Sequence, residues 1–160
     1  MTETPQDDRE PIVVPAFRFA TPDDIALIDY LDSFSRSPTR DIHREIEKYF
    51  GSVDPSTHEH TLILLAEIGS QVVGKAELML PPQRDHESVG YIKRVIVHPE
   101  TRAKGLGRQL LQHLIVYARE ELHLAGLDLH VWDQNLPAVH LYESLGFNLQ
   151  HRELYFRLPL

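Results

Sequence analysis

Apolar residues in this chain switch between a helical and a strand period, and the switches mark its elements. Residues 16–20 read as a first strand. Thr21-Pro22-Asp23-Asp24 reads as a helix start, with a capping Thr, Pro at the first helical position and acids at the positive end of the dipole. That helix runs through Ile25, Leu27, Ile28 and Leu31, and the stretch 35–38 breaks it. Ile42, Ile46 and Tyr49 predict a second helix over 39–50, followed by a loop over 51–60. Residues 61–68 are nearly all apolar, which predicts a strand buried on both faces. Gly69-Ser70 then turns the chain into another strand over 71–80.

After a polar loop over 81–87, a strand over 89–97 ends in the β-branched run Val95-Ile96-Val97, which His98-Pro99 stops. Arg102-x-x-Gly105-x-Gly107 opens a helix whose apolar positions are Leu106, Leu110, Leu111, Leu114, Ile115, Ala118 and Leu122, running to about His123. A fifth strand is predicted over 127–132, with Leu127, Leu129 and Val131 on one face and Asp128, His130 and Trp132 on the other. Asn135 caps a last helix striped by Ala138, Leu141, Tyr142 and Leu145. Gly146 supplies its left-handed end, and Phe147 packs back. A final strand over 147–158 closes the fold. The order β-α-α-β-β-β-α-β-α-β predicts an α/β (α+β) domain: a mixed sheet with helices on both faces.

Composition narrows the function classes. The chain has 160 residues, 42% apolar and 25% charged, as a soluble globular protein does. It divides into a disordered tail over 1–14 and one domain over 15–160. No apolar run approaches a membrane span, and the polar N-terminus lacks the apolar core of a signal peptide. The absence of cysteine excludes disulfides and thiolate chemistry and is compatible with a cytoplasmic location. A net charge of −8 argues against nucleic-acid binding. His58-x-His60 has no third ligand pattern beside it, so a loop is expected there and no metal.

A strand, a glycine-bearing turn and a helix make an anion cradle. The first helical turn has N–H groups with no intrahelical acceptor, at the positive end of the dipole. No Gly-Lys-Ser/Thr follows, so the turn is not a Walker loop. A dinucleotide fingerprint would need a third glycine and an early position in a βαβ repeat.

The run from Val97 to Arg108 resembles the signature of the GNAT superfamily of N-acetyltransferases, Arg/Gln-x-x-Gly-x-Gly/Ala. The run from Asn135 through Tyr142 to Gly146-Phe147 is similar to that family's second motif, Asn…Ala…Tyr-Glu-x-x-Gly-Phe. The resemblance implies a mostly antiparallel mixed sheet with strands four and five splayed, and acetyl-CoA as acyl donor. It implies that the main-chain amides of Arg102, Ala103, Lys104, Gly105, Leu106, Gly107 and Arg108 hold the pyrophosphate. It also implies that Val95, Ile96 and Val97 pair with the pantetheine arm as an extra strand would, and that Asn135 touches the same arm.

Acetyl transfer needs a neutral amine, and neutralising a lysine-like amine at pH 7 costs roughly 4.6 kcal/mol. A base must therefore take its proton, and an acid must protonate the departing thiolate. The resemblance makes Tyr142, beside the CoA sulfur, the general acid; on periodicity alone it belongs to the apolar stripe of its helix. Many family members carry a glutamate base on the fourth strand, but here the aligned positions are Tyr91, Lys93 and Arg94. Lys93 and Arg94 read either as surface cations or as a lure for an acidic group on the acceptor. Other members place the base on the fifth strand, where His130 stands, and an imidazole suits the task near neutral pH. His130 is the candidate base, with a solvated surface histidine or a water-mediated route as alternatives.

The expected activity is transfer of an acetyl group from acetyl-CoA to a primary amine, on a small molecule, a peptide N-terminus or a lysine. An acyl-CoA-binding sensor without turnover is the alternative, and a homodimer is left open.

Overall fold

The computed structural model describes residues 14–35, 60–154 and 156–160. The expected helix over 39–50, the loop over 51–59 and all of the N-terminal tail but Val14 lie outside the described residues. The chain divides into two compact units, Met1–His130 and Val131–Leu160.

In the first unit five strands lie side by side in chain order: β1 (Ala16–Phe19), β2 (His60–Ile68), β3 (Gln71–Leu80), β4 (Val89–Val97) and β5 (Gly126–Leu129). Neighbours are antiparallel except β4 and β5, which run parallel. A parallel pair needs a crossover, and α2 (Leu106–Glu120) supplies it. The first helix opens with a 3-10 turn, Pro22–Asp24, before α1 (Ile25–Asp32) begins. Asp24 accepts the Thr21 N–H at 2.8 Å and takes a bidentate ion pair from Arg18 at 2.8 Å for each bond.

Directly opposed residues share a face of the sheet, which sorts the core into two layers. Ala66, Gly74 and Val97 line up under α2. A Cβ on Gly74 would stand 3.1 Å from Leu110 Cδ1, so the helix seats close to the strand here and a larger residue would require Leu110 to shift. Leu106, Leu110, Leu111, Leu114 and Ala118 are buried on this side, each leucine stabilising the fold by about 1.5–3 kcal/mol. On the other face Ile28 of α1 packs on Ile63 and Leu65.

Three boundaries differ from the sequence-based expectation. The α2 helix ends at Glu120, short of His123. The β5 strand ends at Leu129 instead of 132, because β4 leaves regular geometry just beyond Ile92, the last residue it pairs with β5. A strand extends only as far as a neighbour supplies hydrogen bonds. The predicted strand over 147–158 is absent among the described residues, where Leu154, Phe156 and Leu158 are 82%, 84% and 81% exposed. Alternating apolar residues do not make a strand without a ladder.

The second unit is organised by α3 (Leu136–Ser144). Gly146, at φ +95°, donates to Glu143 O at 3.0 Å, and Phe147 N–H donates to Tyr142 O at 3.1 Å. These two bonds form a Schellman cap, completed by an edge-on contact of the Tyr142 and Phe147 rings. Asn135 holds the N-cap position without capping through its side chain, contrary to expectation; its carbonyl accepts from Val139 N–H at 3.0 Å. No helix among the described residues is long and apolar enough to cross a membrane.

Candidate functional site

The site begins with an irregularity in β4. Glu77 is opposite Lys93 and Lys75 is opposite Ile96, so two residue steps on β3 span three on β4. The extra residue makes a bulge, and Arg94 sits in it at φ +49°. A non-glycine residue held there costs about 1–3 kcal/mol unless its surroundings hold it.

The bulge fixes which way the main chain faces. His98 N–H donates to Val73 O at 2.7 Å. Hydrogen-bonded pairs alternate in an antiparallel ladder, so Ile96, two residues back and opposite Lys75, also turns its N–H and C=O toward β3. Val95 and Val97 turn theirs the other way. On that side β5 pairs only with Val89–Ile92, and no strand among the described residues pairs with 93–97. The expected splay is present, and of the predicted trio it is Val95 and Val97 whose main chain faces the opening.

Beyond β4 the chain makes a 3-10 turn, Pro99–Thr101, capped by His98, whose Nδ1 accepts Glu100 N–H at 3.2 Å. Arg102 Nε donates to Val97 O at 3.0 Å and its Nη2 to Phe34 O at 3.4 Å, which ties the loop to the end of β4 and to the chain after α1. Ala103 (φ +63°) and Gly105 (φ +75°) are both left-handed, and Gly105 is the N-cap of α2. The ladder of α2 begins with Gln109 N–H on Gly105 O at 3.1 Å. The amides of its first turn therefore project ahead of the helix. Val95, Val97, Arg102, Ala103, Lys104, Gly105, Leu106, Gly107 and Arg108 thus follow one another from the open edge to the helix start.

His130 stands one residue past β5. Its Nδ1 is 2.7 Å from the Tyr91 hydroxyl, with the rings tilted at 43°. Tyr91 is opposite Asp128 in the parallel ladder. The expected fifth-strand histidine therefore has a partner that the sequence did not announce.

A row of buried charges was not anticipated. Lys75 Nζ lies 2.5 Å from Asp32 Oδ1 and 2.8 Å from Glu77 Oε1, and Arg94 Nη1 lies 2.8 Å from Glu77 Oε2. Asp32 and Lys75 side chains are 0% exposed, Glu77 1% and Arg94 10%. Signs alternate −, +, −, + and sum to zero, the arrangement that makes buried charge tolerable. Neither oxygen of Asp32 accepts a hydrogen bond among the described residues, so its tie to Lys75 is an ion pair alone. Arg94 is thus neither a surface cation nor turned toward an acceptor, while Lys93 Nζ rests 3.8 Å from Met79 Sδ. The sequence did hold a signal: Lys75 and Glu77 interrupt a strand whose neighbours are buried on both faces.

In the second unit, Tyr142 occupies the cap just described. Burial pushes its phenol above the ordinary tyrosine pKa, which keeps it protonated at neutral pH. Asn135 N–H donates to Trp132 O at 2.9 Å at the start of the same helix.

Comparison with known proteins adds four findings. Residues 23–147 match the model of the acetyltransferase (GNAT) family. Over 86 residues the chain is 33% identical to a glucosamine 6-phosphate N-acetyltransferase of Trypanosoma brucei brucei, covering 52% of this chain and 56% of that one. Over 91 residues it is 34% identical to an L-2,4-diaminobutyric acid acetyltransferase of Vibrio cholerae, covering 56% and 50%. The matched stretch spans about half the length of these relatives. A Clostridium acetobutylicum protein described as a predicted acetyltransferase, solved with acetyl-CoA, shares the fold at TM-score 0.66 and 20% identity, over 90% of this chain and 96% of that one.

Proposed function

Because the chain belongs to the GNAT acetyltransferase family, we propose that it transfers an acetyl group from acetyl-CoA to a primary amine by direct attack in a ternary complex. The observation that carries this is the open edge of β4, where the main chain of Val95 and Val97 faces a side on which no strand among the described residues pairs with it. That edge fits an amide-bearing arm, and the left-handed Gly105 at the start of α2 fits a pyrophosphate. Two matched relatives are named for amine acceptors, a sugar amine and a diamino acid, which supports an amine here.

Acetyl-CoA would supply the activated thioester carbonyl. The amides of Arg102, Ala103, Lys104, Gly105, Leu106, Gly107 and Arg108 hold the pyrophosphate, and Val95, Val97 and Asn135 hold the arm, while Ile96 keeps its main chain turned to β3. His130 accepts the proton that the attacking nitrogen loses as the C–N bond forms. Tyr142 gives its proton to the sulfur as the C–S bond breaks, and its raised pKa keeps that proton available. For Nε2 of His130 to act as base, Nδ1 must carry the hydrogen and donate it to the Tyr91 oxygen 2.7 Å away. Holding both reactants in one cleft supplies much of the remaining rate enhancement.

The test mixes the protein with acetyl-CoA and a panel of sugar amines, diamino acids, polyamines and peptides, and follows thiol release. Turnover on an amine is expected. CoA binding without turnover on any amine would instead indicate an acyl-CoA sensor.

A further inference from the structure

We propose that Glu77 is a positioning residue for the cofactor strand: through Arg94 it holds the β4 bulge, and the bulge decides which main-chain groups face the cofactor. The proposal rests on the assignment of β4's open edge to acetyl-CoA.

The register defines what the bulge does. Glu77 and Lys93 are opposite each other, and β3 positions of the same parity turn their main chain toward β4. Without an extra residue, Val95 would fall opposite Lys75 and Val97 opposite Val73, both bonded to β3. Arg94 and Ile96 would then face the opening. With the bulge the assignment is reversed, and Ile96 comes opposite Lys75, its side chain buried. A slip of one residue thus exchanges the whole set of groups that could meet a ligand.

Arg94 at φ +49° does not favour that state on its own. Its guanidinium is held at 2.8 Å by Glu77 Oε2, whose other oxygen is fixed by Lys75 at 2.8 Å, and Lys75 is fixed in turn by Asp32 of α1. The chain of charges runs from a helix, through the middle strand, to the strained residue. Each member is held by the one before it, so Glu77 cannot drift to follow a relaxing Arg94. The strain is therefore retained where it sets the geometry of the opening.

The experiment compares Glu77→Gln with two double variants, Glu77→Gln/Arg94→Gly and Glu77→Gln/Arg94→Ala. Both doubles keep the buried row neutral, but only glycine occupies φ +49° without strain. Amide hydrogen exchange reads the register directly. In the wild type, Ile96 and His98 should be protected while Val95 and Val97 exchange fast. In Glu77→Gln and in the alanine double this pattern should be lost or reversed, and the glycine double should restore it. CoA affinity by calorimetry should follow the same order, falling about tenfold and then recovering. Wild-type protection of Ile96 and His98 persisting in the alanine double would overturn the proposal. If the wild type binds no CoA, the functional assignment fails, and the exchange pattern still decides the role of Glu77.

Discussion

The hydroxyl of Tyr91 and Nδ1 of His130 lie 2.7 Å apart, joining the fourth strand to the residue just after the fifth. This contact fixes the orientation of the imidazole that we assign as base. Tyr91→Phe should lower kcat by about tenfold, as the ring loses its orienting partner, and His130→Ala by about 10²–10³-fold. A kcat unchanged in His130→Ala would remove His130 from the mechanism.

Tyr142→Phe should lower kcat by about 10²-fold or more while CoA affinity, measured by calorimetry, stays the same. An acid works only while protonated, and burial raises the phenol's pKa. The alkaline limb of the wild-type profile should therefore lie above the ordinary tyrosine range.

Gly105 is at φ +75° with no atom within 4 Å of where a Cβ would stand. Gly105→Ala should thus meet no clash and lose only backbone energy, about 1–2 kcal/mol. Chemical denaturation measures that loss, and CoA affinity should weaken several-fold as the first-turn amides shift.

Lys75→Met leaves Asp32 and Glu77 as buried carboxylates without their shared cation. It should destabilise the fold by about 3–5 kcal/mol, read as a shift in denaturation midpoint with little change in slope.

Acid stability has a nearer origin. Arg18 holds the Asp24 carboxyl down to about 2, from an ordinary 3.8. A depressed carboxylate stabilises the fold in full above its unfolded pKa, and the contribution is lost as pH falls from about 4 through about 2. The Arg18 side chain is 40% exposed, so the contribution is screened to the order of 1 kcal/mol. Asp24→Asn should lose that amount at pH 7 and show a flatter stability profile between pH 4 and 2.

The parts legible in the sequence are those set by local chemistry. Gly146 announced a left-handed residue, and it has one. The apolar periods of β2, β3 and α2 announced buried faces. What stayed hidden depends on partners distant in sequence. The strand expected over 147–158 had the pattern, but its described residues make no ladder. Arg94 carries no mark of its conformation, because a bulge is a mismatch between two strands and neither strand encodes it alone. Lys75 and Glu77 looked like polar interruptions until Asp32 and Arg94 completed the row. Tyr91 could not be tied to His130 before β4 and β5 were known to run parallel.

The splay between β4 and β5 also bears on how the protein behaves when its ligand is scarce. The outward-facing main chain of Val95 and the N–H of Val97 suit any extended peptide, including a strand from another copy of this chain. The bulge at Arg94 bends the strand and increases its local twist. Such bulges are devices by which sheet edges resist self-association. The distortion that aims β4 at a ligand thus also guards the edge against aggregation, so the two demands on this strand are met by one irregularity.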